Sequence, residues 1–415
     1  MKKDQSAEGK RTVRTHTILY LGKIRLKPKP KEATMKKDSS AEGKRTVQAS
    51  TTLYLAIELS NTKWKLAFSN GRKNQFVTID ARDLNRFRRK VDEARKRLEL
   101  ASNGQIVSCY EAGRDGFWIH RFLTDEGIEN IVVDSASIEV NRRHRRAKTD
   151  RLDAGKLVSM LIRYHGGEKK LWAVVRVPSV ADEDARQLHR ELKVLKREKT
   201  MHCSRISGLL VQQGIHIKNP CRRNLSKVLS SVCCWNGQPV PAELSIRIDR
   251  EFERLQMVTE QIKFLEKERE MRLKDPKTIN LQQIVKLQRL RGIGTQSSWL
   301  FVMEFFGWRQ FRNRREIAAL SGLAPTPYDS GSRTRDQGIS KAGNPRVRTM
   351  SIEIAWAWLR FQPESKLSRW FEERFAAGGK RMRRIGIVAV ARRLLIDLWR
   401  YLEKDILPEG AVLKC

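Results

Sequence analysis

An α/β domain followed by a helical arm and a second, mostly helical domain is the fold that the sequence predicts. Three observations predict it. Short apolar runs of strand length alternate with helical segments between residues 52 and 165, strands disappear beyond Pro178, and from there apolar residues recur at helical spacing in long charged segments.

The first unit, residues 52–165, is built from TLYLAIEL, WKLAFS and QFVTID, three β-rich runs in succession, followed by a helical segment from Asp83 to Leu100. QIVSCYE then reads as a strand, about Gly116 to Glu126 as a helix, ENIVVD as a strand, and a helix opening at Thr149 closes the unit. Three strands followed by βαβα make an α/β pattern. In the arm, residues 180–275, Leu188, Leu192 and Leu195 share one helical face and Phe252, Leu255, Ile262 and Leu265 another, which predicts a helical hairpin or coiled coil suited to dimerisation. Residues 215–240, with Cys233, Cys234 and Trp235, read as loop. The third region, 285–375, opens with LQRLRGIGTQSSWLFVMEF, where Gly292 and Gly294 join two apolar helices. Such glycines suit either a phosphate at a helix N-terminus, as in helix-hairpin-helix DNA binding, or a plain tight turn. A basic loop rich in Ser and Gly follows between helices, and a C-terminal helix occupies 376–415.

Ahead of these units, MKKDQSAEGKRTV at Met1 is echoed by MKKDSSAEGKRTV at Met35. Two copies are too few for a solenoid. Residues 1–51 are therefore expected to be a duplicated basic leader, or the product of an upstream start codon, disordered around KPKPKE.

Lys and Arg number 84 against 47 Asp and Glu, a net charge of +37 spread along the chain. Such a field favours nucleic acid, whose condensed counterions are released on binding; the competing reading is a merely basic protein. The six cysteines offer no CxxC pair and no matching histidine spacing, so neither a zinc site nor a disulfide framework is expected, and a reducing cytoplasm fits. No apolar run approaches the ~20 residues of a membrane span, and the basic start lacks the apolar core of a signal peptide. A cytoplasmic, nucleoid-associated protein is expected.

Within this basic chain, RAKTDRLDAGKL puts Asp150 and Asp153 three residues apart, on one face of the first turn of a helix. Glu58 lies at the end of the first strand and Glu111 at the end of QIVSCYE. Strand ends and a neighbouring helix start can converge in an α/β sheet. Four carboxylates in one cleft require divalent cations, Mg²⁺ (or Mn²⁺) suiting oxygen ligands, and a metal pair can activate the attacking oxygen and stabilise the leaving one in phosphodiester chemistry. Taken singly, each acid also has an ordinary reading as a helix N-terminal charge, an Arg partner or a solvated strand end.

The order AIELS, YEAG, KTDRLDA, LRGIG, SGLAPTPYDSG and GISKAGNPRVR, from about Thr52 to Phe375, resembles the DEDD transposases of the insertion-sequence-110/1111 family. The resemblance implies a RuvC-like domain of RNase H fold carrying the acidic site at Glu58, Glu111, Asp150 and Asp153, then a coiled-coil arm, then a transposase domain that supplies a serine. Glu58 departs from the pattern, since the family usually has Asp there. The serine falls at Ser330 in YDSG, with Ser332 and Ser340 near enough to compete and a turn role beside Gly331 as the alternative. A serine hydroxyl is a weak nucleophile unless a base or metal activates it. The family further implies a recombinase guided by a structured noncoding RNA that pairs with donor and target DNA; the coiled-coil pattern and the need to hold two DNA partners point to a homodimer or homotetramer. Arg333, Arg335, Lys341, Arg346 and Arg348 suit phosphate contacts as a group, or form a solvated basic face, and His144 reads as a surface residue. Two rivals remain: a Holliday-junction-type nuclease using the carboxylates alone, and a non-catalytic basic nucleic-acid-binding protein.

Overall fold

The computed structural model describes residues 50–138, 150–217, 219, 225–330 and 333–414; residues 1–49 of the expected leader and His144 lie outside them, and Ser50 and Thr51 begin the first strand. β1 (Ser50–Leu59) pairs antiparallel with β2 (Lys63–Ser69), and β2 with β3 (Asn74–Asp80). α1 (Leu84–Arg97) starts where the Asp83 carboxylate accepts the Arg86 N–H at 2.9 Å. It leads to β4 (Leu100–Glu111), parallel to β1; α2 (Trp118–Asp125) leads in turn to β5 (Glu129–Val133), parallel to β4. α3 (Asp150–His165) follows, and the two-residue β6 (Val174–Val175) joins β5 antiparallel. The described strands form a mixed sheet in the order β3-β2-β1-β4-β5-β6. β6 went unread in the sequence because two residues carry no periodicity.

β1 is central and covered on both faces. Leu53, Leu55 and Ile57 pack with Phe87, Ile119 and Leu123 from α1 and α2, while Ala56 packs with Ala154, Leu157 and Leu161 of α3. Burial on two sides is why TLYLAIEL is a nearly continuous apolar run.

α4 (Val180–Asp184), opened by a capping box between Ser179 and Asp182, turns the chain into α5 (Gln187–Val211). Beyond α6 (Leu225–Leu229), α7 (Ala242–Lys274) returns along α5; the pairs Lys196–Glu266 and His202–Glu251 show that the two helices are antiparallel. Leu192, Leu195, Val258 and Ile262 fill one part of the seam. Residues 215–240 are more than the expected loop: Leu225, Leu229 and Cys234 pack on Ile206, Leu210, Phe252 and Leu255, and a bridge pairs Cys233 with Pro239. Cys203 is disulfide-bonded, a pairing to which the cysteine spacing did not point. Such a pairing depends on tertiary approach, which spacing along the chain does not encode.

α8 (Ile279–Gln288), α9 (Thr295–Phe301) with a π-helical turn over Val302–Phe306, α10 (Arg314–Ser321), α11 (Pro345–Phe361), α12 (Lys366–Phe371) and α13 (Lys380–Lys404) enclose one core around the buried Trp299, Phe305, Trp358 and Leu394. Between α10 and α11 the structure departs from the reading that strands end at Pro178. β7 (Pro325–Ser330) and β8 (Arg333–Ile339) form an antiparallel hairpin. PTPYDS and RTRDQGI lack apolar alternation, so the pattern that reveals core strands is silent there. No helix among the described residues is long and apolar enough to cross a membrane.

Candidate functional site

The sheet register brings the predicted acids to one end. Ile57 pairs with Tyr110 in the parallel β1–β4 ladder, so Glu58 and Glu111, one position further on each strand, stand side by side. Both follow the alternation of Ala56 and Cys109, which puts them on the face that α3 covers. α3 runs against β1 and β4: His165 at its end meets Tyr54 Oη at 3.1 Å and Gln105 Nε2 at 3.4 Å near the strand beginnings, and the Leu157 carbonyl faces Cys109 Sγ at 3.9 Å. From Leu157 back to Asp153 is about 6 Å of helix, and from Cys109 on to Glu111 about 6.6 Å of strand, so Asp153 is level with Glu111. Asp150, the first residue of α3, continues that line; its side chain is not among those described. Glu111 is exposed, and Glu58 and Asp153 are half-buried.

An all-carboxylate donor set suits a hard divalent cation. Among the described residues, however, no group of three or more His, Cys, Asp or Glu side chains stands close enough to hold a metal. The topology assembles the positions without assembling a cage. A cavity of about 520 Å³ runs from Lys65 and Arg151 to Lys73 and Arg97 at the β2–β3 turn, and none of the described acids lines it. Lys65 is the register partner of Glu58, and Arg151 lies between Asp150 and Asp153, its guanidinium 5.0 Å from the Phe76 ring. Cations therefore adjoin the acids on two elements, which suits an anionic backbone entering alongside the carboxylates.

The serine region is a separate construction on the helical core. Ser330 ends β7 and pairs with Arg333; Gly331 and Ser332 lie outside the described residues, as do the side chains of Ser330, Arg333 and Arg335. The hairpin base is clasped. Ser340 N–H donates to the Ala324 carbonyl at 2.8 Å, Lys341 N–H to Gly322 at 3.2 Å and Asn344 N–H to Leu320 at 2.8 Å. Gly343, at φ +101°, approaches so closely that a Cβ there would stand 2.2 Å from the Leu320 carbonyl oxygen. The SGL and KAGN motifs thus need glycine to let two backbones touch. Arg348 donates to the Lys341 carbonyl at 2.8 Å, so it serves the clasp. The Ser340 hydroxyl is buried without a hydrogen-bond partner.

The GIG turn joins α8 to α9 as expected, with Gly292 at φ +87° and Gly294 as the N-cap. Gly294 N–H donates to Ser297 Oγ at 3.1 Å, and Lys414 Nζ donates to the Ile293 carbonyl at 2.7 Å. Both groups are engaged within the chain, as a structural turn requires.

Sequence reasoning missed Glu304. It sits in the π-helical turn, 2% exposed, and accepts from His189 Nε2 at 3.0 Å, Arg190 Nε and Nη2 at 2.7 and 2.9 Å, and Arg346 Nη1 at 3.1 Å. Burial alone would raise its pKa; the bonds and charges of His189 and Arg190 outweigh it and hold the carboxyl well below the usual range. Arg309, which donates to the Glu304 carbonyl at 2.9 Å, is pushed down to about 10 by burial and then by Arg186. The cluster ties α5 to the start of α11, just beyond the serine hairpin, and spends one donor of Arg346 internally. A single acid inside LFVMEFF was the available signal, since a charge in an apolar run is rarely buried without a partner.

Comparison with known proteins bears on these features. Residues 285–368, which hold the GIG turn, the hairpin and its clasp, match the model of the Transposase IS116/IS110/IS902 family. A Sinorhizobium fredii protein named as transposase y4rJ is 41% identical over 373 residues, 86% of this chain and 94% of that relative. The transposase for insertion sequence element IS1328 of Yersinia enterocolitica is 24% identical over 196 residues, 46% of this chain and 56% of its own length. The corresponding protein of IS1111A from Coxiella burnetii is 30% identical over 122 residues, 29% of this chain and 33% of its own.

Proposed function

The chain belongs to the IS116/IS110/IS902 transposase family, and from that membership we propose that it cuts and rejoins DNA at the ends of an insertion sequence through a carboxylate site and a serine. The observation that carries this reading is the β1–β4 register together with the run of α3, which bring Glu58, Glu111 and Asp153 to one level at one end of the sheet, with Asp150 opening the same helix and Lys65 and Arg151 next to them. Three strands in a meander continued by parallel strands, with helices on both faces, support a RuvC-like fold for this domain.

In this reading Glu58, Glu111, Asp150 and Asp153 would hold Mg²⁺ (or Mn²⁺), which when bound supplies Lewis-acid activation of the phosphodiester. Lys65 and Arg151 hold the strand by its phosphates. The Ser330 hydroxyl attacks the scissile phosphorus and displaces one sugar oxygen, the P–O(sugar) bond breaking as the P–O(Ser) bond forms; the serine proton is passed to a base and the cut strand leaves with a free hydroxyl, which reverses the step on rejoining. The hairpin carries the serine on the helical core while the sheet carries the acids, so the two meet most simply between subunits. Exposed apolar side chains favour such an assembly: Met257, Phe264 and Met271 recur every seventh residue on α7, 54–69% exposed, beside Val194 and Met201 on α5. A homodimer or homotetramer joined along the arm follows, with element DNA, target DNA and a structured noncoding guide RNA as its nucleic-acid partners.

Cells expressing the gene with its native flanking DNA supply any guide RNA and test the proposal. Denaturant-resistant protein–DNA adducts are expected from the wild type and from neither Ser330→Ala nor Asp153→Ala. Cleavage without adducts, unchanged in Ser330→Ala, would replace the recombinase by a junction nuclease. Adducts lost in Ser340→Ala but retained in Ser330→Ala would move the nucleophile to the buried, unpartnered Ser340 hydroxyl.

A further inference from the structure

A cavity of about 340 Å³ opens between α12, α13 and the segment after α13, remote in sequence from both the acids and the serine hairpin. It is at the small end of the range for ligand sites, ~300–1,000 Å³. Its chemistry is specific. The Arg393 guanidinium lies 3.7 Å from the centroid of the Trp370 indole, a stacked pair at the cavity wall. Asp397, one turn along α13 from Arg393, presents a carboxylate whose side chain is 31% exposed. Its contact with Arg400 Nη1 is 3.5 Å, long for a charge-assisted hydrogen bond, so the carboxylate keeps accepting capacity. Burial raises the Asp397 pKa against the opposing pull of Arg400 and Arg393. Lys366 stands at the rim, paired with Glu409 at 2.7 Å.

The walls are fixed in place. Lys366 N–H donates to the Glu409 carbonyl at 3.0 Å and Val412 N–H to Gln362 Oε1 at 2.7 Å, which holds the segment carrying Leu407 against α12. Gly410, at φ +72°, packs where a Cβ would stand 2.7 Å from the Glu364 carbonyl oxygen. A preformed slot with a flat cationic and aromatic stack, an acceptor on its floor and cations at its mouth matches one ligand chemistry: a planar heterocycle with a donor edge, attached to phosphate. Bases stack on aromatic and guanidinium planes, and a carboxylate accepts the paired N–H donors of guanine.

We propose that this cavity receives one unpaired nucleobase, guanine by preference, from a single-stranded part of the nucleic acid on which the chain acts. The inference rests on the nucleic-acid role proposed above. Arg393, held flat on Trp370, offers the base the open face of that stack, Asp397 reads the donor edge, and Lys366 and Arg400 meet the flanking phosphates. The slot gives an otherwise charge-driven protein a contact that depends on the identity of a base.

The test uses the full chain and thymine-rich single strands with one central guanine, adenine or abasic position, made with deoxyribose or ribose, their affinities measured by fluorescence anisotropy at fixed salt. The guanine strand should bind about tenfold more tightly than the abasic strand, in the range expected of one stacked base. Arg393→Ala and Trp370→Leu should each remove that difference while affinity for a duplex stays within about twofold, since backbone charge dominates duplex binding. Asp397→Asn should reduce the preference for guanine over adenine. The sugar giving the larger guanine effect names the source as guide RNA or DNA. Equal binding of guanine and abasic strands, with duplex binding intact, overturns the slot alone, as does a guanine effect that survives both Arg393→Ala and Trp370→Leu. Failure to bind any nucleic acid overturns the broader reading with it.

Discussion

Two sets of acids in this chain are treated in opposite ways. Glu111 and Asp153 stand at the rim of the sheet, exposed or half-buried, gathered by register but not closed into a cage. Glu304 is 2% exposed and already holds His189, Arg190 and Arg346. The comparison separates two uses of the same chemistry. A carboxylate that must meet something from outside is placed by topology and left reachable; one that fixes the chain's own parts is buried and fully bonded.

The largest effect should come from the open set. Asp153→Asn should lower DNA cleavage about a thousandfold, the loss of roughly 4 kcal/mol of transition-state stabilisation. The unfolding free energy should move by no more than ~1 kcal/mol, since Asn keeps the size of this half-buried side chain. Cleavage assays and denaturant unfolding on the same preparation check both halves. A fall in stability comparable to the fall in activity would show that Asp153 is a structural acid like Glu304.

Glu304→Gln should reverse the pattern, costing about 2–3 kcal/mol of stability, less than a fully buried pair because Arg190 and Arg346 are partly exposed. The urea midpoint should fall with the slope unchanged. The folded pKa of Glu304 is depressed, so its contribution is fully present above the unfolded carboxyl value of ~4.3 and is lost as pH falls through the folded one. The gap between wild type and Glu304→Gln should therefore hold above about pH 5 and narrow on acidification. A gap that widens at low pH would contradict the depressed pKa.

What the sequence made legible follows the same division. The α/β order through β5 and the two long arm helices could be read because burial on a defined face writes a period of 2 or 3.6 into apolar residues such as Leu53, Leu55 and Ile57 or Leu188, Leu192 and Leu195. PTPYDS and RTRDQGI carry no apolar alternation, so the β7–β8 hairpin left no period to read. The acids were legible as residues in motifs, but their common level depends on the β1–β4 register and the direction of α3, which are tertiary facts. The slot beside Asp397 was illegible because it joins Lys366, Trp370, Arg393 and Leu407 from three segments that have no shared pattern.

The smallest expected effect sharpens the open set from within. Glu58 and Glu111 leave adjacent parallel strands at the same level and on the same face, so side chains of equal length carry their carboxylates to equal height. Glu58→Asp, the residue usual in the family that the chain resembles, withdraws one carboxylate by a methylene while leaving backbone and charge alone. Cleavage should fall by less than about tenfold, under ~1.4 kcal/mol, with no change in unfolding, because a strand-end side chain at a rim has room to adjust. A change beyond about a hundredfold in either direction would mean that the length of this one side chain sets the metal geometry, as Mg²⁺ with its demand for near-octahedral ligands at ~2.0–2.1 Å can require. The rim would then be a rigid site like the Glu304 cluster, and the contrast between open and closed acids would fail at the position where it is drawn most narrowly.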